Sequence, residues 1–161
     1  MNLRPRPIAN HPKKVLIADD SENDRFLFTL ALRPHGEFEV GGMTCNGIDT
    51  INYLNAVAPY SEGSPHAYPD LLLLDYQMPD GTGLEVLSWL QGQARRPKVV
   101  LWSHAVEQID YACAYGLGAN LVCAKPGTRS ETVATIYRAL AAPLQRDHSA
   151  AQTPLREMCF V

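Results

Sequence analysis

Five polar side chains follow short apolar runs in this chain of 161 residues, and their chemistry is complementary. Asp19 and Asp20 follow one run, Asp75 follows a second, and Ser103 and Lys125 follow two others. Carboxylates at 4 Å repel each other by about 4 kcal/mol per pair when the effective dielectric constant is near 20. They can therefore lie together only if a proton, a cation or a lysine compensates their charge.

An oxygen-rich set of carboxylates suits a hard divalent cation, Mg²⁺ or Mn²⁺. A carboxylate can also attack phosphorus and form an aspartyl phosphate. The phosphoryl oxygens then need positive charge and hydrogen-bond donors, which a metal ion, Lys125 and the Ser103 hydroxyl could supply. The candidate set thus contains a nucleophile, a metal cradle, a lysine and a hydroxyl group.

The apolar runs predict five β-strands that alternate with five α-helices. The strands are predicted at residues 13–18, 38–40, 71–74, 98–102 and 120–124. Helices are predicted between Ser21 and Pro34 and at residues 47–58, 84–91, 106–116 and 128–141. This order predicts an α/β fold, a doubly wound five-stranded parallel sheet with helices on both faces. In such a sheet the carboxyl ends of the strands form the site, so the five polar side chains should converge there.

The spacing of apolar residues predicts which helix faces are buried. The first helix should bury Phe26, Leu27, Leu30 and Ala31, and the last helix should bury Val133, Ile136, Tyr137 and Leu140. Leu117, Val122 and Tyr137 are predicted to lie near the last strand and helix, either as ordinary surface or as a dimer contact.

Composition excludes several classes of protein. Hydrophobic residues make up 46% of the chain and charged residues 19%, which is typical of one globular domain. The net charge of −3 argues against general nucleic-acid binding. The amino terminus lacks the apolar core of a signal peptide, and no aliphatic run approaches the ~20 residues of a membrane span. Four cysteines without a C-x-x-C pair fit a cytoplasmic protein with no membrane segment.

Four segments together resemble the receiver domain of bacterial two-component response regulators. They are VLIADD at 15–20, LLLDYQMPDGTG at 72–83, VVLWS at 99–103 and VCAKP at 122–126. All four occur in the family's order and at similar separations, and the resemblance covers residues 13–141. It implies a flavodoxin-like fold.

The resemblance implies a role for each matching residue. Asp75 would be the phosphoacceptor, Asp20 would bind the metal directly, and Asp19 would bind it through water. Asp75 and the backbone carbonyl of Gln77 would complete the protein ligands. Ser103 and Lys125 would contact the phosphoryl group.

Further positions are predicted to shape the site or depart from the family pattern. Pro126 and Gly83 match structural positions of the family, whereas Tyr76 and His104 are predicted at the rim. His104 stands where the family has a small residue, so its imidazole could narrow access to Asp75. Val122 stands where the family has Tyr or Phe, which puts the usual hydroxyl–aromatic relay in doubt. Thr82 replaces a common Asp.

The resemblance implies a binding protein controlled by phosphorylation rather than an enzyme, with at most self-phosphorylation and self-dephosphorylation. A histidine kinase or a histidine phosphotransfer protein would donate the phosphoryl group, and a downstream protein would read it. Two alternatives remain. One is a phosphoryl sink or relay without output, and the other is a phosphohydrolase with an aspartate nucleophile, which usually carries Asp-x-Asp rather than adjacent aspartates.

The predicted domain boundaries leave a flexible arm at 1–12, the receiver at 13–141 and a tail at 142–161. The tail is too short for an output domain, so direct DNA binding is not expected. The extended loop at 59–69 resembles that of stand-alone receivers associated with bacterial phytochromes. Several of those receivers dimerise, so a homodimer is a further expectation.

Overall fold

The computed structural model describes residues 11–56 and 67–142. The strands are β1 (Lys13–Ala18), β2 (Phe38–Thr44), β3 (Leu71–Asp75), β4 (Lys98–Ser103) and β5 (Leu121–Ala124). The α-helices are α1 (Glu22–Leu32), α2 (Gly47–Leu54), α3 (Gly83–Gln91), α4 (Tyr111–Gly116) and α5 (Arg129–Ala141), with a 3₁₀ turn at Val106–Gln108. The predicted loop at 59–69, arm and tail lie largely or wholly outside the described residues.

All five strands are parallel and lie in the order β2-β1-β3-β4-β5. The order reverses between β1 and β3, so the carboxyl ends of these two strands form the crevice where such sheets place their sites. The predicted flavodoxin-like, doubly wound α/β fold is confirmed.

Side chains of the central strands alternate between two hydrophobic cores. Leu72 and Leu74 of β3 pack with α2, α3 and α4, whereas Leu71 and Leu73 pack with α1 and α5. Because both faces are covered, β3 is buried along its whole length. The continuous apolar run that predicted a central strand is explained by this double burial.

In two helices only one of the predicted residues is fully buried, Ala31 in α1 and Ile136 in α5. In α1 the buried side chains are Phe28, Ala31 and Leu32, while Phe26 is 59% exposed and Leu27 is also exposed. The Phe28 ring packs on Trp102 with ring centroids 4.4 Å apart, so the position of the β4 tryptophan sets the rotation of α1. Leu30 is only partly buried.

The buried face of α5 consists of Thr132, Thr135, Ile136 and Ala139. Of the predicted residues, only Ile136 is fully buried, and Tyr137 is exposed. Thr132 can be buried because its hydroxyl donates to the Thr128 carbonyl at 3.0 Å. A hydropathy pattern does not anticipate such internally satisfied threonines.

Several predicted element bounds also need correction. β2 extends through two glycines to Thr44, and α2 ends at Leu54, shortly before Ala56 with its left-handed φ of 52°. The predicted helix at 106–116 is broken because Ile109 is extended, with φ −77° and ψ 124°. Asp110 then begins α4 as its N-cap and accepts from the Cys113 amide at 2.9 Å.

Three further expectations from the sequence concern the residues near β5, the cysteines and membrane-spanning segments. Leu117 and Val122 are buried, so they form neither free surface nor a dimer contact. Cys45 and Cys123 are free thiols, as the sequence predicts for them. Among the described residues, no helix combines the length and apolar character that a membrane crossing requires.

Gly83 lies where the start of α3 touches the end of β3. A Cβ atom on Gly83 would lie 2.5 Å from the Asp75 carbonyl oxygen and 2.7 Å from Leu101 Cδ1. We expect Gly83→Ala to lower the free energy of unfolding by about 2–3 kcal/mol because backbone must move. Gly36→Ala is the control, since a Cβ there meets nothing within 4 Å, and it should change stability by less than about 1 kcal/mol. Equal effects in urea unfolding would contradict this account.

Candidate functional site

Three strand ends bring two carboxylates and an ammonium group together. The Lys125 Nζ lies 2.8 Å from Asp19 Oδ2 and 3.1 Å from Asp75 Oδ2, and its side chain is only 3% exposed. Lys125 follows β5, Asp19 follows β1, and Asp75 ends β3. The predicted convergence of these three residues at the carboxyl edge of the sheet is therefore observed.

Local hydrogen bonds fix the turn after β1. Asp19 Oδ1 accepts from the Ser21 amide at 3.0 Å, which leaves Oδ2 directed towards Lys125. Ser21 caps α1 by accepting from the Asp24 amide at 3.2 Å. The Arg25 guanidinium donates to the Asp19 carbonyl at 2.6 Å. The first turn of α1 thus holds Asp19 from both its side chain and its backbone.

Burial dominates the electrostatics of the carboxylates. It raises the pKa of Asp75 to about 6, although the Lys125 charge opposes this rise and the Asp19 charge adds to it. Burial also raises the pKa of Asp19, against the effect of Lys125. Burial alone would lower the pKa of Lys125, but Asp19, Asp75 and Asp24 together raise it above its ordinary value. The lysine therefore remains charged, and the site carries excess negative charge.

The acidic set fits a hard divalent cation. Asp19, Asp20 and Asp75 each offer a carboxylate oxygen, and these oxygens lie within 4.8 Å of one another. Asp19 Oδ2 is buried and accepts no well-angled hydrogen bond, although it pairs with Lys125 by charge. Asp20 is exposed, so a cation could enter from solvent and keep some of its water.

Ser103 and Gln77 lie beside this set in different ways. The Ser103 side chain is buried, and its Oγ accepts from the Ala105 amide at 3.1 Å rather than contacting Asp75. The Lys125 amide donates to the Ser103 carbonyl at 2.9 Å, which ties the ends of β4 and β5 together. The Gln77 amide donates to Asp75 Oδ1 at 3.3 Å. The hydroxyl group is therefore close in the fold but engaged within its own loop.

Tyr76 and His104, both predicted at the rim, face different neighbours. The Tyr76 hydroxyl accepts from the Asp110 amide at 3.4 Å, across the loop before α4. His104 Nε2 lies 3.0 Å from Asp24 Oδ2, and its side chain is 71% exposed.

Thr82 is the N-cap of α3 and forms a capping box with Glu85. This capping role accounts for Thr at that position.

Asp24 is a site residue that the sequence reasoning missed. Its Oδ2 lies 3.0 Å from the Lys125 Nζ, in addition to its contact with His104. Burial would raise the pKa of Asp24, but hydrogen bonds and charge from His104 and Lys125 lower it below its ordinary value. The sequence did offer a signal, because Asp24 lies in the first turn of α1, four residues after Asp20.

Comparison with known proteins identifies the family. The sequence matches the response regulator receiver domain over residues 15–137. The chain belongs to the response regulator receiver family. The matching residues are therefore those of a receiver domain, the phosphoacceptor module of response regulators.

Curated relatives carry the same domain within longer proteins. The chain is 37% identical over 103 residues to protein-glutamate methylesterase/protein-glutamine glutaminase 5 of Myxococcus xanthus, covering 64% of this chain and 27% of that protein. It is 27% identical over 148 residues to the regulatory protein SphR of Synechococcus elongatus, covering 92% of this chain and 55% of that protein. The chain thus spans about a quarter to about half of these relatives.

Similar solved structures include phytochrome response regulators. The bacteriophytochrome response regulator AtBRR is 27% identical with a TM-score of 0.66, covering 84% of this chain and 99% of that chain. The phosphorylated cyanobacterial phytochrome response regulator RcpA is 26% identical with a TM-score of 0.66, covering 80% and 89%. These structures confirm the receiver fold and support the similarity to phytochrome-associated receivers.

The unfavourable burial of the Asp75 charge predicts a stabilising substitution. We expect Asp75→Asn in metal-free protein to raise the free energy of unfolding near neutral pH by about 1–3 kcal/mol, because a buried charge is removed at nearly constant volume. The folded-state pKa of Asp75, about 6, exceeds the ordinary value of 3.8. The contribution of Asp75 to the free energy of unfolding of the wild type therefore falls as the pH rises from 3.8 to about 6. The difference in stability between the two proteins grows over the same pH range.

Urea unfolding at several pH values measures this gap. Glu37→Gln removes an exposed carboxylate at the opposite, amino-terminal edge of the sheet, just before β2, and should leave stability almost unchanged. An Asp75→Asn protein that is less stable than the wild type near neutral pH would show that Lys125 compensates the buried charge completely.

Proposed function

We propose that Asp75 accepts a phosphoryl group from a phosphohistidine of a histidine kinase or a histidine phosphotransfer protein. One observation carries this proposal: a buried carboxylate at the end of the central strand faces a buried lysine beside two further acids. A purely structural carboxylate would need no such excess of negative charge around it. The pKa of Asp75, raised by burial, also indicates a carboxylate kept as a nucleophile rather than satisfied by its surroundings.

The transfer exchanges one bond to phosphorus for another. A carboxylate oxygen of Asp75 forms the new O–P bond while the P–N bond to the donor imidazole breaks. The electron pair of that bond returns to the imidazole nitrogen, and no proton has to leave Asp75 because it reacts as the anion. Lys125 would bind an oxygen of the transferred group, and its distance of 3.1 Å from Asp75 Oδ2 supports this role.

The proposed protein ligands for Mg²⁺, or for Mn²⁺, are Asp19, Asp20, Asp75 and the backbone carbonyl of Gln77. Bound there, the cation would neutralise charge that develops on the phosphoryl oxygens. The separation of the three carboxylates and the exposure of Asp20 support this assignment. Two proteins of this fold are described with Mn²⁺ and with BeF₃ and Mg²⁺, although their identities of 22% and 23% establish only the fold.

Ser103 and Lys125 are the proposed phosphoryl-binding pair, and Ser103 is the switch residue. Its hydroxyl must exchange the Ala105 amide for a phosphoryl oxygen, so the loop after β4 has to move. Val122 is a buried aliphatic residue, so no aromatic hydroxyl at that position can follow the movement. Tyr76 and His104 form the rim, and Gly83 and the Lys125–Pro126 pair shape the backbone around it.

The phosphorylated surface would then change its affinity for a downstream protein effector in the cytoplasm. The proposal covers no enzyme activity beyond self-phosphorylation and self-dephosphorylation, although some curated relatives are methylesterases. It includes no direct DNA binding, since the net charge is −3. The arm at 1–12, the receiver at 13–141, the tail at 142–161 and a homodimer remain predictions.

Phosphoryl uptake tests the proposal directly. The full chain with Mg²⁺ and phosphoramidate should gain the mass of one phosphoryl group, whereas Asp75→Asn should gain none and chelation of Mg²⁺ should abolish uptake. Asp80→Asn is the matched control, because Asp80 is an exposed carboxylate in the same loop after β3. It should react as the wild type does. An adduct that persists in Asp75→Asn would refute the assignment of the phosphoacceptor.

Turnover separates the alternative functions. A response regulator should take up one phosphoryl group per chain and show no sustained hydrolysis of small phosphate monoesters. Many turnovers per chain on such an ester would instead establish the aspartate-nucleophile phosphohydrolase. Rapid return of the phosphoryl group to the kinase or phosphotransfer protein would favour a sink or relay.

A further inference from the structure

Asp24 joins three separate parts of the fold through one oxygen atom. Its Oδ2 lies 3.0 Å from Lys125 Nζ and 3.0 Å from His104 Nε2. Asp24 belongs to α1, His104 follows the switch residue at the end of β4, and Lys125 follows β5. The carboxylate therefore links the phosphoryl-binding lysine to the loop that carries Ser103.

Three carboxylate oxygens surround the Lys125 ammonium group. Asp19 lies at 2.8 Å, Asp24 at 3.0 Å and Asp75 at 3.1 Å. Lys125 donates hydrogen bonds to Asp24 and Asp75 and pairs with Asp19 by charge. An oxygen of a phosphoryl group on Asp75 would therefore compete with these carboxylates for the lysine.

Asp24 is the contact that can be released at the lowest cost. Asp19 and Asp75 are almost completely buried, with side chains 0% and 6% exposed, so an uncompensated charge there would be strongly disfavoured. The Asp24 side chain is 14% exposed and already accepts a hydrogen bond from His104. Water and the imidazole can together replace the lysine as its partners.

We propose that Asp24 competes with the phosphoryl group for Lys125 and that His104 promotes phosphoryl uptake by holding Asp24 when Lys125 turns away. This inference rests on the proposed phosphorylation of Asp75. It assigns His104 the opposite effect from a steric barrier. The exposed imidazole lies against Asp24, and its removal would leave Lys125 as the principal partner of that carboxylate.

A double-mutant cycle on the full chain distinguishes these roles. The rate constant of Asp75 phosphorylation is measured with Mg²⁺ and phosphoramidate for the wild type, His104→Ala, Asp24→Asn and the double variant. We expect His104→Ala to slow uptake about fivefold, because one hydrogen bond typically contributes a free energy that corresponds to a change of that size. Asp24→Asn should react at least as fast as the wild type, and His104→Ala should have almost no effect in that background.

Glu22→Gln is the matched control, since it removes an exposed carboxylate from the same first turn of α1. It should leave the rate unchanged, which would show that net charge alone does not produce the effect. Faster uptake in His104→Ala would overturn the inference in favour of steric restriction. Equal slowing by His104→Ala in both backgrounds would overturn it as well, because His104 would then act independently of Asp24.

Ring nitrogen resonances of His104 provide a second readout without metal or donor. In the full-length metal-free protein, Asp24→Asn should shift the Nε2 resonance and Glu22→Gln should not. An unchanged resonance in Asp24→Asn would overturn the contact itself. Failure of the wild type to take up any phosphoryl group would instead refute the proposed function, so the two failures are distinguishable.

Discussion

The buried ammonium group of Lys125 is the constraint on which the site depends. A charge that is 3% exposed is tolerated only when opposite charges surround it, and Asp19, Asp24 and Asp75 meet that need. In turn, Asp19 and Asp75 could not lie so close together without a positive charge between them. The protonation of each of the three carboxylates is therefore coupled to the charge of Lys125.

The sheet produces this arrangement through its strand order. β1 and β3 are neighbours at the point where the order reverses, so Asp19 and Asp75 lie side by side at one edge. β4 and β5 complete that edge and bring Ser103 and Lys125 next to them. Because the central strands are covered on both faces, the core on each side fixes where their ends lie.

The charged groups of the site already contact each other, whereas the Ser103 hydroxyl does not yet contact them. Asp75 and Lys125 are in contact, but Ser103 is bound to the amide of its own loop. On the proposed function, a phosphoryl group on Asp75 is required before the Ser103 hydroxyl exchanges the Ala105 amide for a phosphoryl oxygen. A signalling domain requires this order of events, because its resting and phosphorylated forms must differ in shape.

The sequence by itself determined the order of strands and helices along the chain and the parallel α/β class. It also determined that Asp19, Asp75 and Lys125 converge. These follow from runs of buried residues that end in charged ones, a pattern that depends on local chain order and double-sided burial. Only the tertiary structure decided which helix faces are buried, because the packing of Phe28 on Trp102 and the internally bonded Thr132 have no signature in hydropathy. It alone also placed Asp24 against Lys125, 101 residues away, because a charge on a helix finds its partner only when distant strand ends meet.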